Sequence, residues 1–345
     1  MSMLFRLNKS RRQLLGASAA LIAVAGVTQT AVAADKLVIG SLRFTSHSAG
    51  FIAFEKGYFK AEGLDVEFRF FQAAAPIAVS IASGDTDFGI AGVTGGFFNL
   101  AGKGAIKAVA GVLNENKSVD GMAIMASSKA YKAGFTKPEQ MKGKSLAMTQ
   151  IGSTFHYMGS RVAQKFGYTI KDIKVRPLQK VGSMIGALKS GQVDAMIMVP
   201  HIAKPLQRAG AGKIIGWLRD YAPDYQISIL ITSAKNIQQK PELVKKFLRA
   251  YAKGIAEFNR VMLNQKKDPA ETEAMVKLIH KYVYKSRPYE KAARSIKAGA
   301  MYLNPGAALN TSSVARQLKW HQSQGFVPKT LTVKQVVDTS FVKSR

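Results

Sequence analysis

A serine–threonine pair at the start of a predicted helix is the clearest candidate for binding chemistry in this sequence. Ser153 and Thr154 open the helix-like stretch 153–166, and Gly152 precedes them. The first N–H groups of a helix have no intrahelical acceptor, and together with the helix dipole they attract carboxylate, sulfonate or nitrate groups. Gly152 would let the backbone approach such an anion closely. The alternative is that Ser153 only caps its own helix, as serine commonly does.

The loop at residues 41–48 holds a cation and an aromatic ring that suit an organic anion. The guanidinium group of Arg43 can bind a carboxylate or sulfonate bidentately, or it can face solvent beside a cleft, as loop residues often do. Phe44 can stack on a ligand or wall its pocket, but an aromatic ring at that place can equally belong to the core.

Three histidines lie in loops where they could contact a ligand. His47 and His156 occupy comparable positions in two halves of the chain, where an imidazole could sense the charge of a ligand through protonation near neutral pH. His201 is the third. We expect no metal site, because a catalytic zinc site needs three protein ligands held together and no acidic residue accompanies these histidines at ligand spacing.

Sequence motifs for catalysis are absent. There is no G-x-S-x-G element, no Walker loop and no HExxH motif, and the chain contains no cysteine that could act as a nucleophile. The glycine-rich segments 92–96 and 102–104 lack the dinucleotide-binding spacing. We therefore expect a binding protein without a cofactor. The alternatives are an exported enzyme that has the fold predicted below and a solute sensor.

An internal repeat predicts the elements that position these residues. Residues 82–91, ASGDTDFGIA, return as residues 189–198, KSGQVDAMIM, an offset of about 107 residues. Upstream, the strand-like segment that begins at Lys36 returns at Lys144. Several recurrences in the same order indicate two similar α/β lobes, which usually face each other across a ligand cleft.

Strand-like and helix-like segments alternate within both halves of the repeat. The predicted strands are residues 37–40, 66–70 and 87–91, then 145–148, 174–177, 195–199, 214–218 and 226–232. Residues 106–112 and 122–126 are expected to finish the first half and to lead out of it. This alternation predicts two doubly wound α/β lobes with mainly parallel sheets. Ligands of such sheets lie beyond the carboxyl ends of the strands, where the candidate residues are found.

The chain is expected to cross twice between the lobes. We assign residues 34–126 and 222–345 to lobe 1 and residues 127–221 to lobe 2, so that the crossings near residues 126 and 222 form a hinge. From residue 241 onward the sequence is mostly amphipathic helix, which should pack on lobe 1.

Three more residues complete the candidate site. Thr94 and Gly95 are the lobe 1 counterpart of the Ser153 pair and form a second candidate helix start for an anion. Tyr225 lies beside the second crossing, where it could close over a ligand or simply pack in the hinge.

Residues 1–33 have the order of an export signal. Four basic residues and no acid precede an apolar stretch over residues 14–27, which leads to the A-x-A sequence of residues 31–33. This order predicts cleavage near Ala33. The sequence SRRQLL at residues 10–15 resembles a twin-arginine signal, and an ordinary secretory signal is the alternative.

The chain that remains after cleavage is strongly basic. It retains 46 Lys and Arg against 21 Asp and Glu, a net charge of +25. The basic residues are dispersed, and no RNP, helix-turn-helix or zinc-finger pattern is present, so nucleic acid is not an expected partner. A positive field around the cleft would instead speed the capture of small anions.

Residues 55–67, EKGYFKAEGLDVE, resemble the extracytoplasmic solute-binding proteins of ABC importers. The branch concerned includes nitrate, sulfonate, taurine and thiamine-pyrimidine binders. Residues 82–89, 152–157 and 191–195 fit the same pattern. The resemblance implies a type II periplasmic binding protein fold and a periplasmic, monomeric protein. It also implies a small-molecule ligand that is delivered to an ABC permease and its ATPase.

The candidate residues favour an anionic ligand such as a sulfonate, nitrate or carboxylate. A thiamine-precursor pyrimidine is the alternative, but it would require an acidic residue in the cleft loops, and these loops contain none. The sequence therefore predicts capture of a small anion between two closing lobes.

Overall fold

The structure is a computed structural model that describes residues 34–344. The predicted export signal over residues 1–33, with its twin-arginine sequence, lies outside the described residues. Among residues 34–344, none of the helices combines the length and the apolar character that a membrane span requires.

The described residues form ten strands in two five-stranded sheets. The first sheet has the order β2-β1-β3-β10-β4 and the second has the order β7-β6-β8-β5-β9. The strands are β1 (Asp35–Ser41), β2 (Leu64–Phe70), β3 (Phe88–Gly92), β4 (Ile106–Asn114), β5 (Ala123–Ser127), β6 (Ser145–Met148), β7 (Lys174–Pro177), β8 (Ala195–Met198), β9 (Gly212–Trp217) and β10 (Gln226–Ser233).

Helices follow most of the strands and make up the C-terminal third of the chain. Within residues 34–344 they are α1 (Ser48–Glu55), α2 (Tyr58–Ala61), α3 (Ala74–Ala82), α4 (Gly95–Gly102), α5 (Ser128–Lys132), α6 (Thr154–Lys165), α7 (Val181–Ser190), α8 (Pro200–Arg208), α9 (Ala234–Gln239), α10 (Pro241–Met262), α11 (Pro269–His280), α12 (Tyr289–Lys297), α13 (Thr311–Ser323) and α14 (Val333–Val336).

The two sheets have the same topology, which confirms the predicted fold class of two α/β lobes. In the first sheet β1 pairs in parallel with β2 and β3, and in the second sheet β6 pairs in parallel with β7 and β8. One antiparallel strand is inserted in each sheet: β10 lies between β3 and β4 in lobe 1, and β5 lies between β8 and β9 in lobe 2. Each of these inserted strands is the first one that the chain forms after crossing from the other lobe. The sheets are therefore mixed rather than wholly parallel.

A pair of aspartates makes the same contact in both lobes. Asp87 Oδ2 accepts a hydrogen bond from the Val38 N–H at 2.8 Å, and Asp194 Oδ2 accepts one from the Ser145 N–H at 2.8 Å. The first bond joins the start of β3 to β1, and the second joins the start of β8 to β6. The two aspartates that recur in the repeat therefore have the same structural role in both lobes.

The predicted boundary after residue 126 is wrong. That boundary places residues 123–126 in lobe 1, but β5 pairs with β8 and β9 in the second sheet. A buried apolar strand is compatible with either sheet, and only the pairing decides between them. We propose that the two crossings comprise residues 115–122 and 218–225.

Helices cover both faces of the first sheet, as a mainly parallel sheet requires. On one face the ring of Phe247 in α10 stacks on that of Phe88 in β3, with centroids 3.8 Å apart. On the other face, Ile77 of α3 and Phe97 of α4 are fully buried. At the crossing of α10 over α1, a Cβ on Gly254 would lie 2.1 Å from the Ala49 carbonyl oxygen, so only glycine permits this close approach.

The C-terminal helices contact both lobes, whereas they were expected to pack on lobe 1. In addition to the packing of α10 on α1, helix α12 packs against α8 of lobe 2. The Tyr284 hydroxyl, between α11 and α12, donates to the His201 carbonyl oxygen at 2.9 Å. The C-terminal segment therefore reaches across the molecule on the side where the strands end.

Candidate functional site

The carboxyl ends of the parallel strands of both sheets face a common cleft. The space free of atoms in this cleft is about 590 Å³, including the open space at its mouth. Its apolar walls are Leu42, Phe44, Ala73, Ala74, Ala75, Gly92, Leu113, Met122, Phe155, Met158, Val181, Val199 and Ile227. Its polar walls are Ser46, His47, Thr94, Thr149, Gln150, Ser153, Thr154 and Ser228. Within residues 34–344, no Asp, Glu, Lys or Arg lines it.

Five helices of the described residues 34–344 begin at this cleft. They are α3, α4, α6, α7 and α8, and each has its first residue or its N-cap residue in the cleft wall. The partial positive charges at these helix starts give the cleft a positive electrostatic character without any charged side chain. The arrangement suits a small anion held by N–H and hydroxyl donors.

Ser153 and Thr154 line the cleft as predicted, but their side chains already have partners. Ser153 Oγ accepts a hydrogen bond from the His156 N–H at 3.4 Å, so it caps helix α6. Thr154 Oγ1 donates to the Val93 carbonyl oxygen of lobe 1 at 3.3 Å. The capping role, which was the alternative for Ser153, is present, and both residues remain part of the cleft wall.

Gly152 and Gly95 join the two lobes rather than line the cleft. The Gly95 N–H donates to the Gly152 carbonyl oxygen at 2.9 Å, and Gly152 has a φ of 71°, which favours glycine. Thr94 does line the cleft, and its Oγ1 accepts from the Phe97 N–H at 3.1 Å as the cap of α4. The two predicted helix starts thus meet at the edge of the cleft, and the lobes are closed on each other.

Arg43 is directed away from the cleft. Its Nη1 donates to the Tyr282 carbonyl oxygen at 2.9 Å, and the guanidinium carbon lies 3.6 Å from the centre of the Phe70 ring. A planar cation is stabilised by both contacts. The prediction that Arg43 pairs with a bound anion is therefore wrong for this conformation.

Phe44 and His47 line the cleft together, with their ring centroids 5.6 Å apart. The Leu42 N–H donates to His47 Nδ1 at 3.2 Å, so the neutral ring carries its proton on Nε2. Burial lowers the pKa of His47 to about 3. The ring is therefore neutral near pH 7, and the predicted sensing of ligand charge through its protonation is wrong.

His156 makes the equivalent contact in lobe 2 but lies outside the cleft. The Gly152 N–H donates to its Nδ1 at 3.0 Å, and its ring packs against Trp320 and Phe326. Burial, followed by the effect of nearby His321, lowers its pKa to about 4. His156 stabilises the loop before its helix, which is a different role from the predicted ligand contact.

His201 and Tyr225 are buried behind the cleft and do not line it. The His201 ring packs edge-on against Phe44 and Tyr284, and neither ring nitrogen has a partner among the described residues. The Tyr225 carbonyl oxygen accepts from the Glu115 N–H at 2.8 Å, which joins the two crossings. Tyr225 thus packs in the hinge, as its structural alternative stated. Within residues 34–344, no group of three or more metal-ligating side chains comes together.

The most informative cleft residues were not singled out from the sequence. Ser46 and Ser228 are almost fully buried in the cleft wall, and their hydroxyl groups have no partner among the described residues. The start of α3 at residues 73–75 has alanine at the N-cap position, so no side chain caps it. The sequence AAAP at residues 73–76 carries that signal, because a helix that begins without a capping side chain leaves its N–H groups free.

Comparison with known proteins agrees with this architecture. The sequence profile of the family described as NMT1/THI5 like matches residues 44–260. A curated protein of Brucella abortus, whose name describes it as a candidate binding protein, is 27% identical over 202 residues, which are 57% of this chain. The match spans 58% of the length of that relative.

Two solved structures share the fold across most of the chain. The alkanesulfonate-binding protein SsuA from Xanthomonas axonopodis pv. citri, bound to MOPS, is 18% identical with a TM-score of 0.70, covering 90% of this chain and 100% of that one. The periplasmic nitrate-binding protein NrtA from Synechocystis PCC 6803 is 15% identical with a TM-score of 0.70, covering 88% and 86%. At these identities the likeness extends to the fold, and the profile match over more than half of the sequence shows that the chain belongs to the NMT1/THI5-like family.

Proposed function

We propose that this protein is the extracytoplasmic solute-binding component of an ABC importer. It captures a small anionic solute between two closing lobes and delivers it to a permease that an ATPase drives. The observation that supports this function best is the closed cleft, at which five helices begin and which no charged side chain lines among the described residues. Family membership and the names of the two structural neighbours are consistent with it.

The cleft chemistry favours an oxyanion, such as a sulfonate or a carboxylate. Helix starts and hydroxyl groups stabilise an anion through directed N–H and O–H donors, so a cationic side chain is not needed. A thiamine-precursor pyrimidine is less well suited, because no acidic side chain in the described cleft could bind its protonated or amino groups. The loss of Arg43 from the site therefore changes the expected donors and leaves the expected charge of the ligand unchanged.

Closure would couple binding to transport. Bonds between the lobes, such as Gly95 to Gly152 and Thr154 to Val93, form only when the cleft is shut. A ligand that contacts both walls stabilises this closed state by its differential affinity for it. A permease that recognises the closed form would then accept loaded protein in preference to empty protein.

A ligand screen of the mature chain tests the proposal. Thermal unfolding would be measured with sulfonates, nitrate, carboxylates, aromatic acids and thiamine precursors. A ligand present at about 1,000 times its dissociation constant adds about 4 kcal/mol of stability, which raises the melting temperature visibly. The proposal is contradicted if only uncharged or cationic compounds raise it.

An exported enzyme and a solute sensor are the alternatives to an importer component, and different experiments detect them. If mass spectrometry shows that a ligand is chemically changed after incubation with the protein, the protein is an exported enzyme. Loss of solute uptake on deletion of the gene would support import, whereas intact uptake with an altered transcriptional response would indicate a sensor. Recovery of the processed protein in the periplasmic fraction would support the proposed location.

A further inference from the structure

Two buried hydroxyl groups in the cleft wall have no hydrogen-bond partner among the described residues. Ser46 is 1% exposed and Ser228 is 2% exposed, and both line the cleft. Neither Oγ forms a hydrogen bond. Buried polar groups in folded proteins almost always have partners, so an unpaired hydroxyl in a ligand cleft is available to a ligand atom.

These hydroxyl groups belong to a donor-rich side of the cleft in lobe 1. Ser46 follows β1, and Ser228 lies on β10 directly opposite Gly92 of β3. His47 lies next to Ser46, and its proton is on Nε2 because Nδ1 accepts from Leu42. Hydroxyl groups and a neutral N–H can all donate, so this side of the cleft can bind acceptor atoms of the ligand.

Much of the remaining wall is apolar. Leu113 comes from the end of β4, Met122 from the end of the first crossing and Met158 from α6. Val199 directly follows β8, and Ile227 lies at the start of β10. This surface stabilises alkyl or aryl groups by burial. Because no carboxylate lines the described cleft, an ammonium group on the ligand would be buried without a counter-charge and would also face five helix starts.

We propose that the ligand is an organic oxyanion with an apolar body and without an ammonium group, and that Ser46 and Ser228 bind its polar end. This inference rests on the proposed function and narrows it. It separates the expected ligand from inorganic anions, which cannot fill the apolar part of the cleft. It also separates it from amino-substituted sulfonates and carboxylates, which carry a charge that the cleft cannot pair.

Matched pairs of ligands test this selectivity. Calorimetric titration of the mature protein would compare propane-1-sulfonate with 3-aminopropane-1-sulfonate, and benzoate with 4-(aminomethyl)benzoate, with nitrate as the inorganic probe. We expect each amino compound to bind at least about 100-fold more weakly than its parent, because its buried charge stays unpaired. Nitrate should also bind more weakly than the better organic anion.

The outcomes distinguish this inference from the proposed function. Equal or tighter binding of the amino compounds, or of nitrate, would overturn the inference and leave a solute-binding protein in place. If no compound of either pair binds and nitrate does not bind, the proposed function itself is contradicted.

Serine variants test the two hydroxyl groups. Ser46→Ala and Ser228→Ala should each weaken binding of the preferred anion about tenfold, the effect expected for one hydrogen bond to a charged group. Ser48→Ala is the matched control, because its hydroxyl is also buried and unpartnered but does not line the cleft. None of the three changes removes an existing hydrogen bond, so all three variants should fold. Unchanged affinity in Ser46→Ala and Ser228→Ala would remove both residues from the site.

A gain of function gives an independent test. Gln150 lines the cleft, and Gln150→Glu would place a carboxylate there with almost no change of shape. The variant should reduce the preference for propane-1-sulfonate over its amino analogue by about tenfold or more, since the ammonium group gains a partner. An unchanged preference would show that the missing carboxylate is not the cause of the selectivity.

Discussion

The imidazole rings of His47 and His156 make the same contact in the two lobes but meet different surroundings. Each ring accepts, through Nδ1, an N–H from the loop that precedes its helix, donated by Leu42 in one lobe and by Gly152 in the other. The His47 ring also lines the cleft, whereas the His156 ring is covered by Trp320 and other residues of the C-terminal segment. The C-terminal segment occurs once in the described chain and covers only the histidine of lobe 2. The two lobes therefore share the local histidine contact, but the surroundings of the two rings differ.

The aspartate contact gives a prediction at the residue scale. Asp194→Ala removes the acceptor of the Ser145 N–H and of the Ser145 hydroxyl group. We expect a loss of about 2–3 kcal/mol in the free energy of unfolding, because hydrogen bonds to a charged acceptor are stronger than neutral ones. Urea denaturation would measure it. Asp85→Ala is the control, since Asp85 is exposed and bonds only to the nearby Ser83 hydroxyl, and an equal loss in both variants would contradict the assignment.

The hinge between the lobes is built around a buried carboxyl group. Glu115, 2% exposed, follows β4, and its Oε1 accepts from the Met122 N–H at 2.8 Å while Oε2 has no partner among the described residues. Its backbone N–H donates to the Tyr225 carbonyl oxygen, so one residue contacts both crossings. Burial raises the pKa of Glu115 to about 8; nearby Arg219 opposes this shift and Asp220 adds to it.

This pKa predicts how stability depends on pH. The pKa of Glu115 is higher in the folded protein than the ordinary value of 4.5, so between about pH 4.5 and pH 8 the folded state keeps a proton that the unfolded state has released. The contribution of Glu115 to stability should therefore fall as pH rises through this window, by up to about 1.4 kcal/mol per pH unit. Below about pH 6.5 the buried histidines His47 and His156, whose pKa values are lowered, contribute in the opposite direction, so the Glu115 effect is the difference between parent and variant. Glu115→Gln should remove this contribution, and unfolding of both proteins by urea from pH 5 to pH 8 would measure the difference.

An exposed glutamate provides the control for the hinge. Glu67→Gln on β2 changes the same group at the surface and should leave the pH dependence as in the parent protein. If the free energy of unfolding of Glu115→Gln changes with pH as in the parent protein, the Glu115 carboxyl group is ionised in the folded state. The inference that it is protonated in the hinge would then be wrong.

Most elements could be predicted from the sequence, and the one misplaced strand shows why the pairing could not. The alternation of Val66, Phe68 and Phe70 with charged residues predicts β2, which the structure forms at Leu64–Phe70. Residues 123–127 are all buried in β5, and a uniformly buried strand carries no periodicity that indicates its sheet. Its place between β8 and β9 depends on which edges remain free after the other strands have paired.

At the scale of the whole molecule, closure of the lobes depends on close contact between their backbones. A Cβ on Gly92 of lobe 1 would lie 2.3 Å from Thr154 Oγ1 of lobe 2. At a second contact between the lobes, the Val181 N–H of lobe 2 donates to the Gln72 carbonyl oxygen of lobe 1 at 3.4 Å. A side chain at position 92 would therefore overlap Thr154 of the other lobe unless that contact shifts.

Gly92→Ala should prevent full closure. The added methyl group would overlap the Thr154 side chain in the closed form, so we expect ligand affinity to fall at least about tenfold while the protein still folds. Small-angle X-ray scattering with and without ligand would measure the loss of compaction. Gly186→Ala on α7 is the control, because a Cβ there meets no atom within 4 Å. Normal compaction of Gly92→Ala would contradict the closed geometry.

The sequence by itself determined the features that depend on local pattern and on recurrence. The repeated segments around Asp87 and Asp194 indicated two similar lobes, and residues 55–67 indicated the family that the profile match confirms. The position of the cleft beyond the strand ends also followed, because doubly wound sheets share that geometry.

Only the tertiary structure decided which side chains face the cleft. Arg43 turns away because Phe70 and the Tyr282 carbonyl oxygen, 239 residues further along the chain, bind its guanidinium group. Ser228 lines the cleft because β10 inserts antiparallel beside β3, opposite Gly92. The orientation of a loop or strand side chain depends on partners that are distant in sequence, and no local pattern carries that information.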